Sequence, residues 1–135
     1  MREIKFKGQM TTGEWVYGLP HLDTKGSTAY WDECSYRICW NPENGGQANA
    51  PIKNDTLAEF IGIIDKNDIE VYEKDWVRAC FRDKEGYHYK QGEIIMDEYM
   101  WCLESTEGEI YSVNRLHDFE VLGNKQDNPE LWGIS

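Results

Sequence analysis

The amino-acid sequence predicts a mainly β fold, a small twisted barrel or roll with short helical turns at most. Three observations carry this. Apolar residues alternate with period two through the second half, clusters of Gly, Asn and Asp separate the alternating runs, and no stretch keeps helical periodicity over three turns.

Residues 2 to 7 alternate, with Ile4 and Phe6 directed to a core. Thr11-Thr12-Gly13 has turn chemistry and Glu14 to Gly18 is rich in β formers, so the first eighteen residues read as a hairpin. Pro20 limits the next stretch to an edge position or a bend. Thr28 to Trp40 holds Tyr30, Trp31, Tyr36, Ile38 and Trp40, which fits one or two short strands. Residues 41 to 55 combine two Pro, two Gly and four Asn and read as a long mobile loop.

From Thr56 the pattern sharpens. Ala58 to Ile64 is apolar on both alternating sets, as in a strand buried on both faces. Asp65 to Asp68 is a polar turn and Ile69 to Tyr72 a short extended piece. Asp75 to Arg82 puts Val77, Ala79 and Phe81 on one face and Trp76, Arg78, Cys80 and Arg82 on the other. The apolar Trp76 and Cys80 on that outward side call for a covering segment, for which the N-terminal hairpin is the candidate. Tyr87 to Asp97 is a strand bent at Gly92. Asp97-Glu98 turns the chain into a strand carrying Tyr99, Trp101 and Leu103, and Thr106-Glu107-Gly108 leads into Ile110 to Val113. Asn114 to Asp118 reads as one helical turn, Phe119 to Gly123 as the last strand, and Asn128-Pro129 as a cap and first position of a final turn.

Composition narrows the function classes. Only 27 of 135 residues are Leu, Ile, Val or Phe, so six Trp and eight Tyr must supply much of the core. The formal charge of −11 repels nucleic acid and anionic membranes, and no window approaches the roughly 20 apolar residues of a membrane span. The start MREIKFKGQM lacks a signal-peptide core, so the expected location is the cytoplasm, with Cys34, Cys39, Cys80 and Cys102 reduced.

Several further motifs order themselves along the chain: Arg2 to Gly8, Thr12 to Gly18, Phe60-Ile61-Gly62 with Asp65-Lys66-Asn67, Glu70 to Asp75, and Glu120 to Asn124 followed by Asn128 to Leu131. On these the chain resembles the YopX family of phage- and prophage-encoded proteins. Members commonly carry Gly-Asp where this chain has Lys74-Asp75, and Gly where it has Asp68, departures that touch turn geometry. The resemblance implies that residues 56–124 form an SH3-like β-barrel, preceded over 1–55 by the hairpin, aromatic segment and loop, and followed over 125–135 by a C-terminal turn, all in one compact unit. It also implies a bacterial host cytoplasm and no known activity.

Chemistry is sparse. No C-x-x-C or H-x-x-x-H pair joins the cysteines to His21, His88 or His117, so no metal is expected. Cys80 and Cys102 lie inside strands, where burial makes a thiol inert. With 25 carboxylates in the chain, close acid pairs such as Asp97 and Glu98 arise without function, and Gly45-Gly46 lacks the lysine of a phosphate loop. The expectation is a non-enzymatic protein without a cofactor, acting on a protein partner of host or phage origin. The candidate binding residues are Trp31, Tyr36 and Trp40, whose plainer reading is core, together with Arg78 and Arg82, whose plainer reading is a solvated strand end. The alternative function is a nucleic-acid module in which Arg78 and Arg82 flank an aromatic platform.

Overall fold

The computed structural model describes residues 4–22 and 36–132 and divides into two compact units, Met1–Phe60 and Ile61–Ser135. Among the described residues all regular structure is β apart from three single 3-10 turns, and the strands form two antiparallel sheets, neither of which closes on itself.

In the first unit β1 (Phe6–Gln9) and β2 (Trp15–Leu22) form the expected hairpin, in register Phe6 with Gly18. Gly13 supplies the positive φ of 96° at its turn. Ile4 does not face a core: it is 69% exposed, lying before the first paired residue, while β1 buries Lys7, Gly8 and Gln9 and half-buried Phe6 packs on Val16, Ile38 and Ile52. β2 runs on through Pro20, but β1 pairs only with Trp15 to Gly18 and β3 (Tyr36–Trp40) only with Leu19 to Leu22. At Pro20 the strand therefore has a neighbour on one side, which is where a residue without an N–H is tolerated.

The stretch expected to be a loop, 41–55, instead contains a strand. β4 (Ala48–Ile52) pairs with all of β3, and a 3-10 turn follows at Asn54–Thr56. The reason is tertiary: the edge position tolerates Pro51, and alternation buries Ala50 and Ile52, the latter against Val16 and Ile38. Tyr30, Trp31 and Cys34 lie outside the described residues.

β5 (Ala58–Ile64) starts in the first unit, where it pairs with β1, and ends in the second beside β6 (Glu70–Tyr72). Only its first half is buried on both faces, through Phe60 and Ile61. Gly62 takes φ 90° and Ile64 is 50% exposed.

The second sheet has the order β10-β9-β8-β7-β11, built from β7 (Asp75–Asp83), β8 (Gly86–Asp97), β9 (Met100–Ser105), β10 (Ile110–Ser112) and β11 (His117–Asn124). Its inner face carries Val77, Ala79, Ile94, Trp101 and Leu103, which meet Ile61, Val71, Leu116 and Phe119 in one core. The alternation read in β7 is thus correct. Trp76 is covered by Trp132 of the final 3-10 turn (Pro129–Trp132), with ring centroids 4.6 Å apart. The Asn128 side chain does not cap that turn. Its Oδ1 accepts from Asn124 N–H instead and holds the end of β11.

Two-residue connection chemistry departs from the ideal at β8–β9. Asp97 pairs with Met100, so Glu98 and Tyr99 alone make the turn, at φ 48° and 72°. Tyr99 is therefore not in the strand; it is 100% exposed. Hairpin turns with both central residues at positive φ favour Asn-Gly. Tyr99→Gly is expected to stabilise the protein by about 1 kcal/mol, a rise of roughly 4 °C in Tm by calorimetry. Asp68 and Lys74 likewise sit at φ 63° and 73°.

Candidate functional site

The outer face of the second sheet follows from register. Trp76, Arg78, Cys80 and Arg82 of β7 stand opposite Glu93, Gln91, Tyr89 and Tyr87 of β8, so all eight side chains share one face. Short hairpin geometry across Asp83 to Gly86 fixes this pairing.

At one end the face is an aromatic platform. Tyr87 and Tyr89 are 64% and 48% exposed. The Arg78 guanidinium lies 4.2 Å from the centroid of the Tyr89 ring, and that of Arg82 lies 5.6 Å from Tyr87. His117 of β11 meets Tyr87 edge-on at 5.9 Å. The Tyr89 hydroxyl donates to Asp118 at 2.9 Å, and this carboxylate raises the phenol's pKa. Arg78 also lies 3.7 Å from Glu120, which Lys66 approaches at the same distance. The rings are thereby held in place before any ligand arrives.

At the other end is a cleft of about 370 Å³ lined by Trp76, Glu93, Glu104, Ser105, Thr106, Leu131 and Trp132. Both indoles are tethered: Trp76 Nε1 donates to Gln91 Oε1 at 3.1 Å and Trp132 Nε1 to Glu93 Oε1 at 2.9 Å. Glu93 and Glu104 are directly opposed on adjacent strands.

Of the residues singled out in the sequence, Arg78 and Arg82 fall on this platform. Tyr36 and Trp40 belong to the first unit, where both are half-buried and pack on Val16, Ile38 and Ile52. Trp31 is outside the described residues. Sequence reasoning misses Tyr87, Tyr89, His117, Trp132, Glu93 and Glu104, although the i, i+2 spacing of Tyr87 and Tyr89 after a four-residue loop is a signal for the first pair.

Burial pushes the Cys102 thiol up, and Asp97 and Glu98 push it the same way, so it is held protonated rather than nucleophilic. Asp83, Glu85 and His88 bring ligand-type atoms within 4.8 Å at the exposed β7–β8 turn. Asp83 Oδ1 there is already engaged by His88 at 2.9 Å and by Glu85 N–H at 2.8 Å, and these bonds lower its pKa. Among the described residues no helix is long and apolar enough to cross a membrane.

Comparison with known proteins returns one family model, described as YopX protein, matched over residues 9–132. The chain is also similar to a solved structure, that of protein EF1440 from Enterococcus faecalis, at 18% identity and a TM-score of 0.54, covering 97% of this chain and 99% of that one. At that identity the likeness concerns the fold alone. No curated protein matches.

Proposed function

The chain belongs to the YopX protein family, and on that footing we propose that it is a non-catalytic, phage- or prophage-encoded accessory protein of the bacterial cytoplasm. Its second unit, read as an open SH3-like roll, binds a protein partner through the outer face of its five-stranded sheet. The observation that carries this reading is the exposed Tyr87–Tyr89 pair with the guanidinium groups of Arg82 and Arg78 over the rings. Tyr and Arg dominate binding hot spots, and rings fixed in advance lose little entropy on docking.

The same stacking favours a second reading, single-stranded nucleic acid on an aromatic platform. Against it stand the charge of −11, the carboxylates Asp118 and Glu120 at the platform, and Glu93 and Glu104 at the other end of the face. Titration with single-stranded DNA and RNA at about 50 mM salt is expected to show no binding; saturable binding that falls steeply with salt would replace the first reading with this one.

Capture from lysate of the host bacterium, quantified for wild type against Tyr87→Ala/Tyr89→Ala, tests the proposal. The double variant is expected to stay folded, since neither ring belongs to the core, and to lose its partner by about a hundredfold in affinity. Equal capture by both proteins would defeat the proposal.

A further inference from the structure

Resting on the protein-binding reading, we propose that the cleft beside Trp132, bounded by Glu93 and Glu104, receives a lysine or arginine side chain of the partner. The walls specify that chemistry. Half-buried Trp132 presents its indole to the recess, packed edge-on against the buried Trp76 with centroids 4.6 Å apart, and Leu131 adds an apolar surface for a methylene stem. Glu93 and Glu104 stand opposite each other across β8 and β9. A like-charge pair in that position is unfavourable on its own.

Among the described residues no cation pairs with either carboxylate. Lys90, on the same strand as Glu93, is engaged by Glu107 at 2.8 Å and Glu109 at 3.1 Å. A cationic head entering the cleft would relieve the Glu93–Glu104 repulsion and lie against indole at once. An anionic or phosphate-bearing ligand would meet both carboxylates and be repelled.

The recess is formed before binding. Each indole N–H is held by a side-chain acceptor, and Thr106 N–H donates to Gln91 O at 3.2 Å. Ser105 Oγ accepts from Glu107 N–H and Glu109 N–H, which fixes the loop beside the cleft. Its volume of about 370 Å³ falls within the range that encloses a small ligand.

The indole N–H resonances of Trp76 and Trp132 report occupancy without a partner protein. The probes are the N-acetyl methylamides of lysine, arginine and norleucine, the last a neutral counterpart of lysine. Saturable shifts of both indole signals are expected with lysine and arginine, and binding roughly tenfold weaker with norleucine. Glu93→Gln/Glu104→Gln, which removes two opposed charges and should stay folded, is expected to abolish the preference for the cations.

Equal response to norleucine and lysine, or indole signals unmoved by either cation, would overturn the cleft's assignment. If in that event Tyr87→Ala/Tyr89→Ala still loses its captured partner, the cleft alone is wrong. If the cations shift the indoles while that double variant captures as wild type does, the binding-face reading fails instead.

Discussion

Gly92→Ala is expected to cost about 3 kcal/mol and lower Tm by roughly 10 °C, an effect out of proportion to one methyl group. Gly92 lies in the middle of β8, paired with Ser105. A Cβ built there would sit 1.9 Å from Glu104 O, 2.6 Å from its carbonyl carbon and 2.8 Å from Ser105 Cα. All three are backbone atoms, so no rotamer change makes room. β8 and β9 must separate where Ile94 and Leu103 close the core and where Glu93 and Glu104 form the cleft. Gly108→Ala is the matched control. At φ 86°, with nothing within 4 Å of the added carbon, it should cost only about 1 kcal/mol of backbone strain. Urea unfolding of both variants checks the difference.

Asp65→Ala is expected to cost about 3 to 4 kcal/mol. The carboxylate is 4% exposed and serves as acceptor for three backbone donors: Asn67 N–H at 2.8 Å, Ile69 N–H at 2.9 Å and Val121 N–H at 2.8 Å. The first two shape the β5–β6 turn; the third ties that turn to β11, beside the bond from Lys66 N–H to Phe119 O. Alanine leaves all three donors without this acceptor. Asp65→Asn should fall between, because Oδ1 can still serve the turn while an amide NH2 would confront the Val121 donor. Burial by itself raises the Asp65 pKa, but the bonds from Val121, Ile69 and Asn67, with Lys66 nearby, outweigh it and leave the group below its ordinary 3.8. The folded value is lower than the unfolded one. The stability Asp65 contributes is therefore complete above about pH 3.8 and is lost as pH falls through the folded value. Acid unfolding followed by circular dichroism should show wild type losing stability below that pH more steeply than Asp65→Asn, which lacks the titrating group.

Sequence reasoning reached the second unit further than the first, for a physical reason. In β7 and β9 the inner face is apolar while the outer one mixes the buried Trp76, Cys80 and Cys102 with Arg78, Arg82 and Glu104, so Val77, Ala79 and Leu103 write the pleat directly into the chain. That alternation, with the hairpin loop at Asp83 to Gly86, also put Arg78 and Arg82 on an outer face. β4 has no such signature. Its Ala-Asn-Ala-Pro-Ile has weak β propensity, and pairing with β3 imposes the strand. Ile4 carries the pattern of a core residue but precedes the paired segment, so pattern and burial part there.

The cleft was hidden for another reason. The opposition of Glu93 and Glu104 depends on a register fixed by the Glu98-Tyr99 turn, a sequence not typical of that turn type. Trp132 reaches Trp76 from 56 positions later in the chain, through a single helical turn that no periodicity could orient.

Oxidative side-chain footprinting of the protein alone and in complex with its captured partner tests the binding face most directly, because Tyr87 and Tyr89 are open to solvent in the free chain. Both tyrosines should be protected in the complex, by about tenfold in oxidation rate for a docked ring. Unchanged rates at Tyr87 and Tyr89, with protection confined to exposed residues of the first unit such as Tyr17 and Leu22, would contradict the assignment of the outer sheet face as the site of binding.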